Sequence, residues 1–142
     1  MLDMNVTTAM LADSATVETS GKLYVHGGGW AELYAASVPV THPMMSLVLV
    51  VEVPWAEVLE DIAVDVDLVD EDNHPLGVHA RGKLNVGVGP GTRRGDSVSV
   101  PAALPFSMVQ LTSYGRYRFI VKLNEHEAAS VRFNLRKVPG AP

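Results

Sequence analysis

The chain predicts an all-β fold: an antiparallel two-sheet β-sandwich, Ig-like or related, of about seven to nine strands, with residues 1–142 forming one domain. Three observations carry that expectation. Apolar and polar residues alternate with period two along several segments, the pattern of half-buried strands. Twelve Gly and nine Pro are spread between short apolar runs as turn signals. The charges of two neighbouring alternating segments also match when one is folded onto the other.

The first elements are the least regular. Val6 to Asp13, Leu23 to His26 and Trp30 to Val38 read as strands, the last two separated by Gly27-Gly28-Gly29. Three consecutive glycines suit a positive-φ bulge or a strand crossing. Met44 to Val53 reads as a further strand, apolar on both faces over Leu47 to Val51. A strand of a two-sheet sandwich normally turns one face to water, so this one calls for a second cover. Pro54 suits a helix start, and a short helix near 55–60 would supply the cover from within the chain. A neighbouring subunit would supply it equally well. This makes Val48 and Val50 the expected contacts of a homo-oligomer or larger protein assembly.

The central hairpin is the best defined. Ile62, Val64, Val66 and Leu68 share one face; after the polar turn Asp70 to Pro75, Val78, Ala80, Leu84 and Val86 do the same. Pairing centred on Asn73 sets Asp67 opposite His79 and Asp65 opposite Arg81, both favourable cross-strand pairs. Val98 to Val100 and Phe106 to Leu111 follow, with Pro101 and Pro105 suited to an edge or a bulge. In the C-terminal hairpin Tyr117, Phe119, Val121 and Leu123 alternate with Arg116, Arg118, Lys122 and Asn124. Val131, Phe133 and Leu135 alternate with Arg132, Asn134 and Arg136. The inward residues are odd-numbered on both strands, which predicts a loop with an odd number of residues, Glu125-His126-Glu127. The outer face of this hairpin is strongly basic.

Composition narrows the function classes. With 47% apolar residues, a chain of this length buries roughly 70% of its unfolded surface. It contains no cysteine, which excludes thiolate chemistry, cysteine zinc sites and disulfides. A net charge of −5 argues against nucleic-acid binding by bulk electrostatics. Leu47 to Val51 is too short to span a bilayer, and Met1 to Asn5 lacks the features of a secretory signal. The expected location is therefore the cytoplasm or a virion, with no membrane partner.

Motifs for chemistry are sparse. His26-Gly27-Gly28-Gly29 resembles an oxyanion-hole loop, but no G-x-S-x-G elbow accompanies it. The acidic run Asp70 to Asp72 lacks calcium-loop spacing and reads as a solvated hairpin tip. The five histidines show no metal-binding spacing, so neither a metal nor a cofactor is expected. Arg94-Gly95-Asp96 lies in a glycine-rich connection from Gly87 to Gly95 and reads as a flexible loop.

Leu11-Ala12-Asp13-Ser14-Ala15, followed by Gly21-Lys22-Leu23-Tyr24-Val25 and Gly27-Gly28-Gly29-Trp30, resembles the opening of an uncharacterised bacterial family common in actinobacteria. Glu52-Val53-Pro54-Trp55 and Gly115-Arg116-Tyr117 extend the likeness over most of the chain. The resemblance implies a single all-β domain and assigns no activity or catalytic residue. Members often carry an aliphatic residue at position 26, which sets His26 apart.

Three function classes follow. The first is a non-catalytic structural or protein-interaction module, oligomeric or part of a shell or virion. The second is a small-molecule or glycan-binding sandwich using Trp30, Tyr34, Trp55 and Tyr114, the aromatics least committed to strand alternation. The third is a hydrolase built from groups such as His26 and Asp13. The missing catalytic constellation favours the first and argues against an enzyme.

Overall fold

The computed structural model describes residues 4–55, 61–86 and 93–140. It is an all-β sandwich of two sheets. Among the described residues nine strands run in order: β1 (Asn5–Val17), β2 (Leu23–Trp30), β3 (Glu32–Ala35), β4 (Val40–Val53), β5 (Asp61–Asp70), β6 (Pro75–Asn85), β7 (Val98–Leu111), β8 (Gly115–Leu123) and β9 (His126–Lys137). The four-stranded sheet has the order β2-β1-β4-β7 and the five-stranded sheet β3-β9-β8-β5-β6. All neighbours are antiparallel except β3 and β9, which run parallel. That pair departs from the wholly antiparallel expectation because the chain passes from β2 to β3, and so between the sheets, through the single residue Ala31.

The core lies between the sheets. Leu47, Leu49, Val51 and Val53 of β4 face Val64, Val66 and Leu68 of β5 and Phe119, Val121 and Phe133 of the C-terminal hairpin within one buried cluster. Phe119 stacks obliquely on Phe106 with ring centroids 4.9 Å apart, and Tyr117 lies nearly parallel to Phe133 at 5.3 Å. The Tyr117 hydroxyl donates to the Ser113 carbonyl at 2.6 Å, a tyrosine corner that holds the β7–β8 connection against the start of β8.

The β5–β6 hairpin has the expected register: Asp65 pairs with Arg81 and Asp67 with His79, and Arg81 Nε lies 3.0 Å from Asp65 Oδ1. Pro101 and Pro105 sit on β7, at the edge of its sheet, where a missing amide is tolerated. The C-terminal hairpin differs in detail. Its turn is the two residues Asn124-Glu125, both at positive φ (48° and 70°), as a type I′ turn requires. Ala128 is the extra residue of a bulge, because Val121 pairs with Ala129 and Lys122 with Glu127. Two turn residues plus one bulge residue preserve the odd parity, so the inward set is unchanged.

The three glycines do not interrupt β2. They lie within it, beside a register shift at Leu11/Ala12 of β1. A Cβ on Gly28 would come 2.6 Å from Val25 Cγ1 and 3.2 Å from Met10 Sδ, so only glycine lets those side chains close over the strand.

One expectation for β4 needs correction. Val48 is 0% exposed within the single chain, in register between Met10 of β1 and Ala103 of β7. Fully buried within the single chain, it offers no surface to a second subunit. Val50 is half-buried, between Thr8 and Pro101. The short helix expected near 55–60 falls, apart from Trp55, outside the described residues, as does most of the Gly87 to Gly95 connection.

Three outcomes follow. Gly28→Ala destabilises the fold by about 1–3 kcal/mol through overpacking. Gly82→Ala, with no atom within 4 Å of the added carbon, stays within about 0.5 kcal/mol of the parent in urea unfolding. Val48→Lys buries an unpaired charge and costs roughly 3–5 kcal/mol; a folded variant of unchanged denaturation midpoint would contradict the placement of Val48.

Candidate functional site

The outer face of β8 and β9 carries the cations. Register sets Arg118 directly opposite Arg132 and Arg116 opposite Asn134. The Asn134 amide donates to Ala31 on the far side of β9, at 2.9 Å, so Asn134 does not share hydrogen bonds with Arg116. By alternation, Arg118–Arg132 is also a non-hydrogen-bonded pair, the kind with the closer side chains. Two like charges directly opposed are destabilising. Among the described residues neither Arg116 nor Arg132 has an ion-pair partner, while Arg118 donates to Asn73 Oδ1 at 2.6 Å.

Three grooves meet at Arg116. One, of about 520 Å³, runs between Arg116, Arg118 and Arg132 and the β5–β6 tip at Asp70 to Asn73. A second, of about 1000 Å³, reaches across Tyr114 and Tyr34 to Arg136. The third, of about 460 Å³, follows β9 from Ser130 to Asn134, with Ala9 and Ala31 as its far wall.

Two of the neighbouring acids, Asp70 and Glu32, are already engaged. Asp70 Oδ1 accepts from the amides of Asp72 and His74, both at 2.9 Å, and these bonds hold its carboxyl below the ordinary range. Asp70, Asp72 and His74 bring ligand-type atoms within 4.8 Å of one another, but this is the hydrogen-bonded geometry of the turn itself. Glu32 accepts from Arg136 Nε at 2.6 Å and from Asn134, and the Arg136 hydrogen bond lowers its pKa most. That pair clamps the short parallel strand β3 onto β9.

The aromatics divide. Tyr34, 56% exposed, and Tyr114 line the large groove, where the Tyr114 hydroxyl donates to the Ala35 carbonyl at 3.0 Å. Trp30 instead packs edge-on against Phe133 at 6.1 Å, and Trp55 packs against the core, so neither tryptophan lies on the groove. Sequence reasoning placed the arginines on a basic face but did not recognise them as the centre of a site; that needed the register of β9 on β8. His26 lies opposite Ser14, and among the described residues no hydrogen bond or ion pair joins it to Asp13.

The molecule is thus a β-sandwich with an arginine-bearing groove system on its five-stranded sheet. By sequence, residues 7–136 match a family described as a family of unknown function (DUF6941), and the chain belongs to it. No curated protein matches the chain. Among solved structures, an alkylpurine DNA glycosylase AlkC of Pseudomonas fluorescens, bound to DNA with an abasic site analog, aligns at 13% identity and a TM-score of 0.49. The match covers 94% of this chain and 30% of that one. A β-glucosidase from Listeria innocua in complex with gluconolactone aligns at 8% identity and a TM-score of 0.46, covering 96% of this chain and 16% of that one. The chain therefore spans less than a third of either structure, and neither activity transfers to it. Among the described residues no helix is long and apolar enough to cross a membrane.

The Glu32–Arg136 clamp has a pH signature. Because the folded pKa of Glu32 is lowered, its contribution is fully present above the unfolded value of about 4.3 and is lost as pH falls through the folded value. The stability difference between the parent and Glu32→Gln is therefore constant above about pH 5.5 and shrinks on acidification. Urea unfolding at several pH values checks it; a difference that widens toward acid would contradict the clamp.

Proposed function

We propose that this protein is a non-catalytic protein-interaction module that recognises an anionic partner through the outer face of its five-stranded sheet. The observation that carries this reading is the opposition of Arg118 and Arg132 beside Arg116, at the meeting point of three grooves. An arrangement that costs stability in the free molecule is relieved by a ligand of opposite charge. Guanidinium groups held by a sheet suit carboxylate or phosphate oxygens, which they bind in a planar fork. Action by binding rather than turnover fits the histidines too: His26, His79 and His126 lie on three different strands, and His74 is held to Asp70 in the hairpin tip.

A glycan-binding reading draws on Tyr34 and Tyr114, which share the large groove. It has less support, because the Tyr114 hydroxyl is committed to Ala35. Assembly with further copies has less support, because Val48 is buried within the chain and of the two expected contacts only Val50 stays half-exposed.

Amide shifts of the labelled protein titrated with sodium citrate test the reading. Saturable shifts are expected at Arg116, Arg118 and Arg132, weakening with added salt. They should vanish in Arg116→Ala/Arg132→Ala, a variant expected to be as stable as the parent or up to about 1 kcal/mol more stable. Absence of saturable shifts at these residues, or a clear loss of stability in the variant, would overturn it.

A further inference from the structure

Resting on that reading, we propose that the anionic partner is an extended polypeptide segment with acidic side chains at alternate positions, which adds as a strand to the free edge of β9. Strand β3 covers only Asn134 to Lys137 of β9. Residues 126–133, about 26 Å of strand, pair with β8 on one side and with no described strand on the other. The Asn134 amide donates away from β8, to Ala31. Backbone groups alternate along a strand, so the N–H and C=O of Arg132 and Ser130 point to that same open side. Open donors and acceptors of this kind are what an incoming strand pairs with.

The groove along this edge fits such an occupant. Its far wall is made by Ala9 and Ala31, small enough for a backbone to approach, and its lining includes Arg116 and Arg132 but no carboxylate. A strand added here continues the five-stranded sheet in the line β3 would have taken. Its alternate side chains would fall on the outer face beside Arg132 and Arg116; the intervening ones would turn toward the seam near Phe133, which selects apolar residues there. Charge complementarity thus specifies an acidic-apolar alternation. A nucleic acid fits less well. The next groove brings Asp70, Glu71 and Asp72 alongside the same arginines, and the chain as a whole carries −5, both of which repel a continuous polyanion.

The test uses the full-length, isotope-labelled protein and capped heptapeptides of alternating Glu and Val. Binding is expected to slow amide exchange at Ser130 and Arg132 at least tenfold. Peptides N-methylated at alternate residues, in each of the two frames, keep the charges but lose donors, and the frame that pairs with β9 should bind at least tenfold more weakly. Ser130→Pro removes an edge-facing amide without touching a β8 bond, and a folded variant should lose the peptide while still binding citrate. Equal binding by both N-methylated peptides, or no peptide binding where citrate binds, would overturn strand addition and leave the arginine face standing. Loss of citrate binding by the parent would sink the arginine face itself. Tighter binding of a short DNA duplex, or protection of Ser130 and Arg132 by self-association without peptide, would replace the peptide with another occupant and overturn the proposal.

Discussion

The register of β9 on β8 is the constraint on which the site depends. It is set at one end by the Asn124-Glu125 turn. The Asn124 amide donates to the Ala63 carbonyl at 2.9 Å, and its side-chain oxygen accepts from the Ala63 amide at 3.0 Å, so the turn is fastened to β5. Asn tolerates the left-handed backbone this turn needs, which is why it stands there. At the other end the Glu32–Arg136 pair and the Ala31 carbonyl hold β9 to β3. Between these fastenings Arg118 stands opposite Arg132 on β9 and Val69 on β5, and neither strand sets a carboxylate directly opposite it.

Much of the fold was legible because parity is robust. The Asp65–Arg81 and Asp67–His79 pairs followed from two independent patterns, apolar alternation and charge, that agreed on one register. The inward set of the C-terminal hairpin was legible for the same reason: a bulge and a shorter turn change the count together and leave odd residues inside. What parity does not determine is absolute register. A three-residue loop would have set Arg118 opposite Asn134 and Arg116 opposite Arg136, which moves the opposed pair away from Arg118 and Arg132. The two-residue turn and the one-residue bulge at Ala128 together displace β9 by two residues from that register, and no local signal marks the bulge.

The glycine run and β4 show the opposite failure, where tertiary context overrides a local pattern. Gly27 to Gly29 read as a break between two strands, yet they lie inside β2. The positive-φ bulge they suggest is present, with Gly27 and Gly29 at positive φ beside the register shift. At Gly28, Val25 and Met10 occupy the space a side chain would fill. The doubly apolar run of β4 read as a request for a second cover, from within the chain or from a neighbouring subunit. It is met within the chain, with Val48 buried between β1 and β7. The tryptophans read as candidates for a ligand surface and pack against the core, whereas Tyr34 and Tyr114 reach the groove because β3 and the β7–β8 connection lie beside the basic face.

A nuclear Overhauser measurement of cross-strand Hα–Hα contacts tests the register most directly. The non-hydrogen-bonded pair predicts a strong contact between the α-protons of Arg118 and Arg132, whose Cα atoms lie about 4.5 Å apart in such pairs. A contact between Arg118 and Asn134 in its place would take Arg118 out of opposition to Arg132 and contradict the account of the site.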